Sequence, residues 1–154
     1  MKIALGADHA GYQLKDQIKQ HLAGRGIELR DEGTSSPESV DYPDFARAVA
    51  HDVSRQRAEL GILVCGSGIG MAIAANKVDG IRAANVSSEY EAQMSREHNN
   101  ANVLALGARI LSPEEALRIV DTWLATPFAG GRHERRVEKI AAIEKEEHSA
   151  AENA

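Results

Sequence analysis

Short apolar runs alternate with amphipathic stretches along this chain, and one of them, Leu60–Cys65 (LGILVC), is apolar throughout before it enters Gly-Ser-Gly-Ile-Gly. A run of that kind reads as a strand covered on both faces. Lys2–Ala7 (KIALGA), Ile27–Asp31, Ile81–Val86 and Val103–Leu106 read as four further strands. Between them lie helical patterns. Tyr12–Ala23 carries apolar residues at 14, 18 and 22, and Asp44–Arg55 places Ala46, Val49, Ala50 and Val53 on one face. Gly33–Pro43 is polar, rich in turn formers, and reads as a loop. A helix opens in Gly66–Gly70 and runs through Asn76, and another covers Glu89–Glu97. Ser112-Pro113-Glu114-Glu115 supplies a cap, an N1 proline and two acids for a helix to about Ala125. Arg132–Glu146 is a last helix, and the polar tail 147–154 is expected to be disordered. Strands separated by helices imply an α/β protein: one domain, three layers α/β/α, a five-stranded parallel sheet, Rossmann-like.

A length of 154 residues suits one domain. The net charge of −5 argues against nucleic acid as a partner, because such proteins carry a basic face. No apolar run approaches the roughly 20 residues that cross a bilayer, so no membrane partner is expected. The start, MKIALGADHAGYQ, has too short an apolar stretch for a secretory signal. The single cysteine excludes an internal disulfide and fits a reducing cytoplasm. The six histidines never show H-x-x-x-H spacing, so no metal site and no metal cofactor are expected.

In open α/β sheets, ligands sit beyond the carboxyl ends of the strands. After the first strand comes Gly6-Ala7-Asp8-His9-Ala10-Gly11, where Asp8 is either a catalytic carboxylate or a helix cap. After the third comes Cys65-Gly66-Ser67-Gly68-Ile69-Gly70. Glycines let backbone N–H groups line an anion, and the helix start behind them adds positive potential. The same field favours a thiolate, so Cys65 is a candidate base; the alternative is a small buried hydrophobe. Nucleotide binding is the weaker reading, because Met71 breaks G-x-G-x-x-G and no G-K-[ST] follows.

Arg132 and Arg136 lie four apart at a helix start, on one face, a spacing that suits a phosphate or a solvated basic patch. Glu97-His98-Asn99-Asn100-Ala101-Asn102 offers a proton carrier and amides for hydroxyl groups, or simply ends a helix. Arg109 follows the fifth strand as a possible third cation.

Taken in order, G-A-D-H-A-G (6–11), D-E-G-T (31–34), V-D-Y-P (40–43), C-G-S-G-I-G (65–70), I-A-A-N-K (73–77), G-I-R-A (80–83), H-N-N-A-N (98–102), L-G-A-R (106–109) and G-G-R-H-x-x-R-V (130–137) resemble the ribose/galactose/allose phosphate isomerase family, ribose-5-phosphate isomerase B included, over nearly the whole chain. The resemblance implies a sugar-phosphate isomerase domain over 1–146 and a strand order of 2-1-3-5-4. It implies an aldose–ketose isomerase acting on ribose 5-phosphate through an enediolate, with 6-phosphohexoses as the alternative and a non-catalytic sugar-phosphate module behind that. Cys65 is implied as proton acceptor, with Met71 where another branch carries a glutamate base. His98 is implied in ring opening, and Asp8 and Asn99 as hydroxyl contacts. Gly66, Ser67, Gly68, Ile69 and Gly70 are implied as the anion hole, and His9, Arg109, Arg132 and Arg136 as substrate contacts. Ser67 stands where threonine is frequent and Asn100 where aspartate is frequent. No organic cofactor is implied.

The order of elements adds a geometric expectation. Asp8 and Cys65 follow strands and lie at the carboxyl edge; His98 and Asn99 precede a strand and lie near the amino edge. A strand of five or six residues is about 17–20 Å long, beyond the reach of an imidazole. One shared chemistry then requires a homodimer with shared active sites, or a tetramer containing it.

Overall fold

The computed structural model describes residues 1–154. The elements run β1 (Lys2–Ala7), α1 (Tyr12–Leu22), β2 (Glu28–Asp31), α2 (Tyr42–Ser54), β3 (Leu60–Cys65), α3 (Ile69–Ala75), β4 (Ala83–Asn85), α4 (Glu89–Glu97), β5 (Val103–Gly107), α5 (Pro113–Ala125) and α6 (Arg132–Glu152). All strand pairs are parallel and the order is β2-β1-β3-β5-β4. The central strand β3 is buried at every position, as its unbroken apolar run requires.

Two cores sandwich the sheet. On one face α1, α4 and α5 bury Leu14, Ile18, Ala92, Ile119 and Trp123 against Ile3, Leu5, Ile62 and Leu104. On the other, α2 and α3 bury Val49, Ala50, Val53 and Met71 against Ala4, Leu63 and Ala105, and Cys65 points to this side. Gly61 lets α2 approach closely, since a Cβ there would fall 2.6 Å from a Val49 methyl.

Several boundaries differ from expectation. α2 begins at Tyr42 rather than Asp44, because Pro43 sits in the first turn and needs no amide partner. α3 starts at Ile69, inside the glycine loop as expected, and ends at Ala75, with Asn76 as its C-cap. β4 shrinks to Ala83–Asn85, because the Arg82 amide is taken by the Asn102 side chain instead of a strand partner. α6 continues to Glu152 through the segment expected to be a disordered tail. Residues 147–152 contain no glycine or proline to stop a helix, and His148 pairs with Asp79 at 3.1 Å. α6 buries none of its residues, and Ile140 and Ile143 stand exposed on it. No helix is long and apolar enough to cross a membrane.

Candidate active site

Cys65 closes β3 and is 5% exposed. The loop behind it folds back so that the Gly68 amide donates to Cys65 Sγ at 3.1 Å. That turn needs glycine twice over: Gly68 has φ of +83°, and a Cβ would lie 2.7 Å from Asn85 Oδ1 and 2.9 Å from the Leu106 carbonyl carbon. The sulfur therefore has a directed N–H donor at hydrogen-bond distance. Ser67 Oγ accepts from the Ile69 amide at 3.2 Å. The amides of Gly66 and Ser67 donate to nothing within the chain, leaving two uncommitted donors beside the sulfur.

These groups open onto a cleft of about 600 Å³. Asp8, Tyr42, Ile73, Arg109 and Ile110 complete its walls. Asp8 is buried, and its Oδ1 accepts from the amides of Ala10 and Gly11 at 3.0 and 3.1 Å, so it shapes the turn before α1 while facing the cleft. Asp8 lines the cleft and shapes the turn, but it does not cap α1, whose N-cap is Gly11 with no side-chain cap bond. Arg109 is anchored by its amide to the Gly66 carbonyl at 3.0 Å, and its exposed guanidinium lies over Gly66. His9 lies next to Asp8, but its Nδ1 accepts from the Val40 amide at 3.2 Å and ties down the 33–41 loop.

A second cluster forms elsewhere. His98 caps α4, and its ring stacks on His133 with centroids 4.2 Å apart and planes 12° apart. Arg132 and Arg136 stand exposed at the start of α6 beside them. Desolvation, then His98, Arg132 and Arg136, hold His133 below the usual imidazole range, while Glu97 opposes them weakly. A group of cations that suppresses a neighbouring imidazolium is a receptive site for an anion. Asn99 is exposed and faces a different cavity, shared with Arg82, Ile140 and Ile143.

The two clusters do not meet. Cys65 pairs with Gly107, the last residue of β5, whereas His98 and Asn99 precede Val103, the first. Four strand steps put roughly 13 Å between those levels before the 98–102 loop is added. Of the expected residues, Asp8, Cys65, Gly66, Ser67, Gly68, Ile69, Gly70 and Arg109 come together, with His9 alongside. His98, Arg132 and Arg136 form the other group. Tyr42, whose ring packs on Gly70, and His133 were not singled out from the sequence. Both lie inside quoted motifs, V-D-Y-P and R-H-x-x-R, which was the available signal.

A parallel sheet that carries a thiol, a carboxylate and a donor-lined glycine loop at its carboxyl edge defines an enzyme of the α/β class. The chain belongs to the ribose/galactose isomerase family, which it matches over residues 3–140. It is 52% identical over 144 residues to ribose-5-phosphate isomerase B of Escherichia coli strain K12, covering 94% of this chain and 97% of that one. Its fold superposes on ribose-5-phosphate isomerase B of Clostridium thermocellum with a TM-score of 0.93 and 55% identity, covering 95% and 99% of the chains. It superposes on the Mycoplasma genitalium enzyme with bound ribulose-5-phosphate at a TM-score of 0.91 and 45% identity, covering 94% and 97%.

Proposed function

We propose that this protein interconverts ribose 5-phosphate and ribulose 5-phosphate, with Cys65 moving the proton. The observation that carries this reading is the Gly68 amide donating to Cys65 Sγ at 3.1 Å beside the free amides of Gly66 and Ser67. A buried hydrophobe needs neither the directed N–H nor the open donors.

The steps follow from that arrangement. The sugar enters as a closed ring, and His98 shuttles the proton that opens it. The Cys65 thiolate then takes the proton from C2, the C1 carbonyl oxygen gains the negative charge, and an enediolate forms. The Gly66 and Ser67 amides, which line the same cleft and have no partner in the chain, hold that charge. The O2 proton passes to O1, and the Cys65 thiol returns its proton to C1, which leaves a ketone at C2 and restores the thiolate. Arg132 and Arg136, with Arg109, bind the phosphate, whose binding energy holds the reacting carbons against the sulfur. Asp8 and Asn99 contact hydroxyl groups, and His9 supports the loop at the cleft.

The site is completed by a second copy of the chain. His98, Asn99, Arg132 and Arg136 of one protomer reach the Cys65 cleft of the other across a two-fold axis. The exposed Ile69, Ile73 and Ile110 around the cleft and Ile140 and Ile143 on α6 support this reading, since such residues are buried by association. A thiolate base also fits a reducing compartment such as the cytoplasm.

The test is a side-by-side assay of ketose formation from ribose 5-phosphate, allose 6-phosphate and galactose 6-phosphate. Ribose 5-phosphate is expected to show the highest kcat/KM. A higher value for either hexose phosphate replaces the pentose assignment, and no turnover of any sugar phosphate sinks the isomerase reading.

A further inference from the structure

A separate cavity of the chain lies away from the catalytic cleft. It is a groove of about 800 Å³ between α2 and α3, with His148 of α6 on its wall. Arg47, His51 and Arg55 follow one another at intervals of four along α2, hence on one face, and Lys77 approaches from the end of α3. Arg47, Arg55 and Lys77 form no ion pair and no side-chain hydrogen bond within the chain. The only acid lining the groove, Asp79, is engaged by His148 at 3.1 Å. Asp52, next to His51 in sequence, is turned inward and 1% exposed, where Arg57 at 2.8 Å and Arg30 at 3.1 Å hold it. The groove therefore holds three unpaired cations against one carboxylate, in a chain whose net charge is −5.

We propose that this groove is a second anion-binding site, for a compact polyanion bearing two phosphoryl groups. Guanidinium forks match phosphate oxygens two at a time, and Lys77 adds a point charge. Arg47 and Arg55 begin about 12 Å apart along the helix, a separation that suits two phosphoryl groups better than one. His51 lies between them and offers a neutral donor, while the Ser54 hydroxyl donates to the His51 carbonyl at 3.3 Å. Burial, then Arg55, Arg47 and Arg57, hold His51 below the usual imidazole range, and Asp52 offsets them only in part. An anion entering here reverses that field and draws a proton onto His51. The groove shares none of its lining with the catalytic cleft, so this assignment stands or falls separately from the isomerase reading.

The experiment is a titration of the intact, assembled protein with inorganic pyrophosphate. It is followed by calorimetry and by the histidine ring resonances, with His51 assigned through His51→Asn. Bound pyrophosphate is expected to raise the His51 pKa, and affinity is expected to grow as pH falls through that pKa. The double variant Arg47→Gln, Arg55→Gln is expected to bind at least about tenfold more weakly while turning over sugar phosphate like the parent. A sugar bisphosphate run in parallel separates an organic from an inorganic ligand, and binding of either supports the site. Sulfate binding as tightly as pyrophosphate, or pyrophosphate moving His98 and His133 but not His51, overturns it. So does a double variant that binds like the parent; if that variant does not fold, the His51 titration of the parent decides alone.

Discussion

Lys15 of α1 is wholly buried, and its Nζ lies 2.7 Å from Asp31 Oδ1 at the end of β2. The same carboxylate receives Lys19 at 3.0 Å and the Gly33 amide at 2.9 Å. Gly33 and Thr34 in turn exchange backbone hydrogen bonds with Ala7 at 2.7 Å each, one residue before Asp8. The ion pair thus fixes the loop that borders the carboxylate side of the cleft.

Lys15→Met is expected to destabilise the fold by about 2 kcal/mol, because Asp31 loses its closest charged hydrogen bond while Lys19 and the Gly33 amide still hold it. Thermal unfolding measures this. The pH dependence has a definite sign. Burial pushes Asp31 up, but Lys15, the Gly33 amide and Lys19 outweigh it and hold the carboxyl below its ordinary 3.8. A carboxyl depressed in the folded state contributes stability that is full above the unfolded value and is lost as pH falls from there through the folded value. Asp31→Asn should flatten that acid limb; an unchanged limb means that other carboxylates dominate it.

Cys65→Ala is expected to cut kcat by about 10²–10⁴-fold, roughly 3–5 kcal/mol of barrier, with sugar-phosphate binding near normal. Steady-state kinetics and direct binding measure the two separately. Retention of more than about a tenth of the parent kcat would remove Cys65 from the role of base.

Two inactive variants, Cys65→Ala and His98→Asn, are expected to restore one another when unfolded and refolded together. Random pairing makes about half the dimers mixed, and each mixed dimer regains one intact site, so about a quarter of parent activity should return. A mixture that stays inactive although mixed dimers are shown to form rules out the shared site.

Arg136→Ala is expected to raise KM for the phosphorylated sugar while leaving the trace rate on free ribose nearly unchanged. Equal losses on both substrates assign the residue to folding or chemistry instead of phosphate recognition.

Much of this protein is legible before any coordinates. The apolar run Leu60–Cys65 demanded a strand covered on both faces, and it is buried throughout. The amphipathic spacing in 12–23 and 44–55 marked two helices within a turn of their ends. The glycine loop after Cys65 announced backbone N–H groups free to line an anion; that the Gly68 amide donates to the sulfur came from the structure. These are local properties, set by side-chain periodicity and by the φ that only glycine adopts at low cost. Strand order was not readable from periodicity, because the residues that line a buried strand are equally apolar whichever neighbour they meet; only the family resemblance supplied it. The end of α6 was misjudged, because a polar run without a stop signal is either helix or coil until a contact such as His148 with Asp79 selects one. Tyr42 over Gly70, the His98–His133 stack and the Arg47–His51–Arg55 groove bring together side chains from different elements. Such meetings depend on how helices cross the sheet, which the spacing along one element does not encode, so only the tertiary structure decided them.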